Sequence, residues 1–375
     1  MKELNKKKII KLIIVIIIFL ILIVIGTLYE NNDDVRNFFD KYIFFKEKTE
    51  NNLPKISIGS TEGLNSYAYQ GTLLTLRNNL LTAYNYNGNE EYTLDIQISN
   101  PIFESKGDYL CIAEKNGTKI YVISNRMIVW QKDLEGNISD VTINSNGYVA
   151  VAISGTSYKT IIQTFDNNGI ELFTKFLSTT YVMDMSISPD NKYLAVAEAN
   201  VSGILIQSNI KIISIEKIKN GEKDSIEQTY LNTDGDLIVS LKYQNKDELI
   251  VVYDNHIELI KAEINSKISD FTQESVLFVE TNNKIIKVID RNSQIYLQII
   301  NADTNDYKEY EIDEPKEIYV SDNTIAINLG SEILFYNNSG WLIKKYSANQ
   351  EINKIVLSDD LAGIVYNDKI ELISL

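Results

Sequence analysis

Ser188-Pro189-Asp190-Asn191-Lys192 followed by Tyr193-Leu194-Ala195-Val196-Ala197-Glu198-Ala199 is a tight turn feeding an apolar strand. The same succession recurs along the chain. Glu104-Ser105-Lys106-Gly107 precedes YLCIAEK, and Asn144-Ser145-Asn146-Gly147 precedes YVAVAIS. Ser321-Asp322-Asn323 precedes TIAINLG, and Ser358-Asp359-Asp360 precedes LAGIVYN. A second kind of turn joins more polar strands: Tyr86-Asn87-Gly88, Asp166-Asn167-Asn168-Gly169 and Asn337-Asn338-Ser339-Gly340. Asn and Gly accept the backbone angles of tight reversals, so each of these marks a hairpin. Between the turns the residues are rich in Val, Ile, Tyr and Thr with strand-like period, and no long helical pattern appears after Pro54.

Aligning the first kind of turn places repeat starts near residues 64, 100, 139, 182, 236, 275, 316 and 351. A spacing of about 40 residues, with up to four strands each, is the period of a β-propeller blade. One blade has two apolar faces and cannot bury them alone; a ring of blades buries both. Nearly continuous apolar runs such as DLIVSLKY and DELIVVYD fit that environment better than a half-solvated sandwich. Pro54 to Leu375 is 322 residues, enough for eight blades, with seven longer blades or a pair of sandwiches as alternatives. The last repeat contains three strands, and Lys55–Gly59 (KISIG) has no partner of its own. KISIG is therefore expected to supply the fourth strand and close the ring.

Ahead of the repeats, Leu12–Tyr29 runs LIIVIIIFLILIVIGTLY without a charge. As a helix it would be about 27 Å long, close to the thickness of a bilayer's hydrocarbon core. Lys2, Lys6, Lys7, Lys8 and Lys11 precede it, and Glu30, Asp33 and Asp34 follow. This asymmetry predicts a cytoplasmic N-terminus and an extracytoplasmic remainder. A cleaved secretory signal is the alternative, but the apolar run is long for one and no Ala-x-Ala site follows. The expected organisation is a cytoplasmic basic tail at 1–11, a transmembrane helix at 12–29, a stalk at 30–52 and the propeller at 53–375. In the stalk, Val35, Phe38, Phe39, Tyr42 and Phe45 have amphipathic-helix spacing, with Asn32, Asp33 and Asp34 as caps.

The chain carries a net charge of -15. Residues 1–11 hold five Lys and one Glu, so the remainder has 31 basic and 50 acidic residues, a net charge of -19. Such a surface repels phosphate backbones, which excludes nucleic acid as an expected partner. The single cysteine, Cys111, precludes an intrachain disulfide and thiolate clusters; in YLCIA it reads as a core residue. A disulfide-free exported domain, with heavy use of Ile, Asn and Lys, fits a Gram-positive bacterium.

With Asn in place of Gly, Ser188–Val196 resembles the SPDGKYLAVA turn of WD40 and TolB-like propellers. Lys119–Leu134 (KIYVISNRMIVWQKDL) and the FDNNG hairpin resemble the outer hairpin of quinoprotein-type repeats, whose Trp docks between blades; Trp130 and Trp341 hold that place. The layout as a whole resembles an uncharacterised family of Firmicutes proteins with one membrane helix and an extracytoplasmic propeller-like domain. That resemblance implies a fold and brings no activity with it.

The chemistry is mostly exclusion. One histidine, His256, leaves no room for a two-His metal site and has no triad companion in YDNHIELI; it reads as a hairpin residue. No phosphate-binding glycine motif is present. Asn232-Thr233-Asp234-Gly235-Asp236 resembles a calcium loop only faintly and reads as a turn. Tyr67, Tyr69, Tyr84 and Tyr86 are expected chiefly in the core, with a face of aromatic anchors as the alternative. No catalytic, cofactor-binding or metal residue is nominated, and no cofactor is expected. The function expected is a non-enzymatic interaction scaffold of the cell envelope, partnered by an envelope or membrane protein. The alternatives are a small-ligand or glycan sensor and a carboxylate-dependent glycoside hydrolase. A face bearing an apolar patch favours the scaffold; a deep channel with paired carboxylates favours the hydrolase.

Overall fold

The computed structural model describes residues 53–375, apart from 156, 223, 224, 233, 234 and 273, together with Gly26 and Thr27. The expected membrane helix and stalk therefore lie outside the described residues, save those two positions. Among the described residues no helix is long and apolar enough to cross a membrane.

Leu53–Leu375 forms eight four-stranded antiparallel sheets. We number them blades 1 to 8 and letter the strands A to D from the bore outward. The A strands are Asn65–Tyr69, Pro101–Lys106, Asn137–Ile143, Thr180–Ile187, Ile238–Asn245, Ser275–Thr281, Glu317–Val320 and Lys354–Leu357. These begin within three residues of the repeat starts read from the turns, and the count is eight rather than seven. Each sheet runs in chain order A to D except the last. Blade 8 takes strands A to C from the C-terminus and its outermost strand, Lys55–Ser57, from the start of the domain. KISIG closes the ring as its unpaired state predicted.

The closing seam is buried and polar. Ile56 is buried opposite Ile370, and Pro54 O accepts from Leu372 N at 2.9 Å. Beside it, Glu371 accepts from Tyr346 Oη at 2.6 Å and Lys369 Nζ at 2.7 Å, and pairs with Lys55 Nζ at 3.2 Å. Burial pushes the Glu371 carboxyl pKa up, but these donors outweigh it and hold it below the ordinary glutamate value.

Each blade packs its faces against its neighbours, and buried clusters alternate with blades around the ring. One joins blades 2 and 3 through Cys111, Val122, Trp130, Val151 and Phe165; another joins blades 7 and 8 through Phe335, Tyr346, Ile364 and Tyr366. Cys111 is fully buried, as its apolar strand implied. The outer turns repeat one device. Asn85, Asp166 and Asn337 each accept two backbone N–H groups of their own turn, at 2.8–3.1 Å, ahead of Gly88, Gly169 and Gly340 at φ +76 to +80°. Trp130 from the D strand of blade 2 covers Gly169 of blade 3, where an added Cβ would stand 2.8 Å from the indole.

Trp341 departs from the expected pairing with Trp130. The matching slot over Gly340 is filled by Tyr310 of blade 6, whose ring lies where a Cβ would project. Trp341 follows that glycine, one place beyond the slot, and is 70% exposed. His256 is likewise no free turn residue: it is buried, stacks on Tyr253 at 4.2 Å, and lies 3.3 Å from Glu258 Oε1.

Candidate functional site

Edge strands leave backbone groups unpaired, and the A strands are edges that face the bore. Blades 4 and 5 meet that need with side chains: Asp184 Oδ2 accepts from Leu241 N at 2.8 Å, and Ser186 Oγ accepts from Tyr243 N at 3.0 Å. Asp184 Oδ1 also accepts from Met185 N at 2.8 Å.

Four successive A strands share an irregularity. The A–B register shifts between Ile138 and Asp140 in blade 3, Val182 and Asp184 in blade 4, Ile238 and Ser240 in blade 5, and Val276 and Phe278 in blade 6. Each shift is a β-bulge near the end of the blade that carries the B–C loops. A bulge re-aims the extra side chain out of the packed face. The extra residues are Ser139, Met183, Val239 and Leu277, and the three apolar ones are 38%, 53% and 50% exposed respectively. They form a half-collar around the bore.

The same end of blades 3 to 5 carries more exposed apolar groups. Tyr158 and Phe176 pack ring to ring at 4.8 Å in blade 3, Tyr181 lies under Lys159 Nζ at 5.3 Å, and Leu231 ends the D strand of blade 4. The B–C loop of blade 4, residues 201–206, presents Val201, Ile204, Leu205 and Ile206 to solvent, with Ile204 and Leu205 the most exposed.

Beneath the collar the bore is acidic. Asp140 and Asp184 directly follow two of the bulges, and Glu104 comes from blade 2. Glu104 is reached by water yet surrounded by protein. Burial pushes its carboxyl up to about 7; Lys242 opposes the shift, and Asp140, Asp184 and Glu280 add to it. Burial likewise raises Asp184 to about 7 against its backbone hydrogen bonds, and Asp140 to about 6 against a backbone bond and Lys115. Asp140 Oδ2 is buried with no hydrogen-bond partner among the described residues. At the opposite end of the bore, Lys106 of blade 2 reaches Asp322 of blade 7 at 2.7 Å, past blades 1 and 8. The described residues contain no cluster of His, Cys, Asp and Glu suited to a metal ion.

The raised carboxyls have a consequence for stability. A carboxyl with a folded pKa above its unfolded value binds more protons when folded, so its contribution is greatest at low pH and is lost as pH rises from about 4 to about 7. We expect Glu104→Gln and Asp140→Asn each to raise the melting temperature at pH 8 and to raise it by less at pH 5, part-way through that window. Thermal scans at the two pH values check this; an equal shift at both rules out the electrostatic account.

Of the tyrosines singled out by sequence, Tyr67 stacks on Phe103 at 5.1 Å, Tyr69 is buried and Tyr84 packs against the seam of blades 8 and 1. Tyr86 alone of the four stands exposed at a turn tip. Thr233 and Asp234 of the calcium-like turn lie outside the described residues; Asn232 Nδ2 donates to Asp236 O at 2.7 Å, closing the turn on itself. A polar depression of about 380 Å³ between blades 7 and 8 is lined by Lys316, Asn328, Ser331, Asn349, Gln350 and Glu351 among others. The sequence places Glu104 in a turn, whereas it lies within the A strand of blade 2; the collar residues, Asp140 and Asp184 escaped the sequence reading. Asp140 and Asp184 did leave one trace: each stands four residues before its A–B turn residue, Asn144 and Ser188.

Comparison with solved structures supports the architecture. BamB from Moraxella catarrhalis superposes with a TM-score of 0.50 at 11% identity, covering 86% of this chain and 99% of that one. Chaetomium thermophilum Sqt1, solved bound to the N-terminus of the ribosomal protein L10, superposes with a TM-score of 0.50 at 11% identity, covering 83% of this chain and 92% of that one. At such identity the likeness is one of fold. No curated protein matches the sequence. Residues 44–375 match the family of unknown function DUF5711, nearly the whole chain and all eight blades, and the protein belongs to that family.

Proposed function

We propose that this propeller is a non-enzymatic interaction scaffold, held at the bacterial cell membrane by residues 12–29 and facing the extracytoplasmic side. The half-collar of bulges and the exposed 201–206 loop carry the reading. Monomeric proteins rarely leave a run of large apolar side chains in water without a partner to cover them. Bulges on four adjacent blades at one level point to a built surface rather than a local defect. The charge asymmetry around residues 12–29 supports the orientation. Sqt1, which holds a protein terminus, is an analogy of fold that favours a protein partner. Asp184, tied by both oxygens to backbone amides, serves the blade 4–5 seam in this reading rather than acid–base chemistry.

The test is a loop variant, Ile204→Ser with Leu205→Ser and Ile206→Ser. These side chains are exposed, so stability should change by no more than about 0.5 kcal/mol per site. Chemical crosslinking in living cells is expected to give a defined adduct with the native chain and to lose it with the variant at equal expression. An adduct that survives the triple substitution, or none from the native chain, refutes the reading.

A further inference from the structure

The collar and the bore are continuous, and together they select a kind of partner. Met183 and Asp184 are neighbours on one A strand, as are Ser139 and Asp140. An apolar rim thus sits directly on carboxylates. Within the bore, Glu104, Asp140, Asp184 and Glu280 act on one another, opposed by Lys242 inside and by Lys115 at the rim. The inner strands carry two further lysines and both are engaged: Lys106 pairs with Asp322, and Lys354 Nζ donates to Ser66 O at 3.2 Å. Lys242 Nζ donates to Asn282 Oδ1. The surplus is negative, and Asp140 Oδ2 has no donor among the described residues.

From this charge complementarity, and resting on the interaction reading above, we propose that the half-collar and bore receive a basic peptide segment of the partner, one or more Lys or Arg side chains flanked by Leu, Ile or Phe. The apolar residues would cover Met183, Val239, Leu277 and the 201–206 loop, while the cation enters the acidic bore. A surface burying apolar area at its rim and a matched charge at its centre gains specificity from the charge and affinity from the burial. An acidic segment meets repulsion at the same place, and an anionic lipid surface meets the chain's own net charge of -15.

The experiment uses the full chain in detergent micelles, immobilised and panned against a display library of random twelve-residue peptides. Enriched peptides are expected to carry Lys or Arg beside large apolar residues. A synthetic peptide of the consensus should bind about tenfold more weakly to Glu104→Gln with Asp140→Asn, and more weakly in high salt. Both substitutions are near-isosteric, and melting temperatures verify folding. Enrichment of acidic or uncharged peptides, or binding indifferent to the two substitutions, overturns the proposal, as does binding of phosphatidylcholine vesicles in place of peptide. If the loop variant loses the cellular adduct while the carboxyl variants keep peptide selection unchanged, the scaffold reading stands and this inference falls. If the loop variant also keeps the adduct, both fall.

Discussion

A chain beginning at residue 59 is expected to unfold far more easily than one beginning at residue 53. The six residues between them provide the closing strand. Removing them deletes the buried side chain of Ile56, worth about 1.5–3 kcal/mol, and a short ladder worth about 1 kcal/mol per bond. Glu371 also loses Lys55, and the C strand of blade 8 becomes an exposed edge. A loss of about 4–6 kcal/mol is comparable to the whole stability of many domains. Urea titration followed by circular dichroism should show the shorter chain largely unfolded or aggregated where the longer one is native. A synthetic peptide of residues 53–60 should restore part of the signal. Equal midpoints would show that the ring does not depend on its N-terminal strand.

The second large effect separates the two tryptophans. Trp130 is 8% exposed, packs on Phe165 at a ring distance of 5.6 Å and covers Gly169. Trp130→Ala removes a large core side chain between blades 2 and 3 and should cost about 3–5 kcal/mol. Trp341→Ala removes a solvent-exposed ring and should change stability by about 0.5 kcal/mol or less. Paired denaturant titrations check the contrast. Similar losses at both sites would mean that Trp341 docks as Trp130 does. The difference arises because Tyr310 already occupies the slot over Gly340.

That contrast shows what can be read from the chain and what cannot. Turns are local, so the A–B and C–D reversals marked six of the blades, blades 5 and 6 carrying neither of the two turn signatures, and the unpartnered KISIG segment marked the closure. The likeness of the FDNNG and YNNSGW hairpins was also visible, but which side chain fills the slot over the glycine depends on the preceding blade. Trp130 fills it 39 residues ahead of Gly169, and Tyr310 fills it 30 residues ahead of Gly340. The bulges at Ser139, Met183, Val239 and Leu277 are invisible for a related reason. A bulge is a mismatch between two strands, and neither strand alone records it. Glu104, Asp140, Asp184 and Glu280 come together only when the ring brings blades 2, 3, 4 and 6 around one bore. His256 sits in a hairpin as expected, yet it is buried and stacks on Tyr253, three residues earlier in the same hairpin.

The functional claim is that the collar end of the bore, and not the opposite end, meets the partner. The direct measurement is photo-crosslinking in living cells from single positions on each end of the full chain. Leu205 and Leu277 lie at the collar end; Ile170 and Tyr307 lie in or beside the C–D turns at the other, and all four are exposed. The account predicts one adduct of constant size from Leu205 and Leu277 and none from Ile170 or Tyr307. An adduct from Ile170 or Tyr307 alone, or equal adducts from all four, would contradict it.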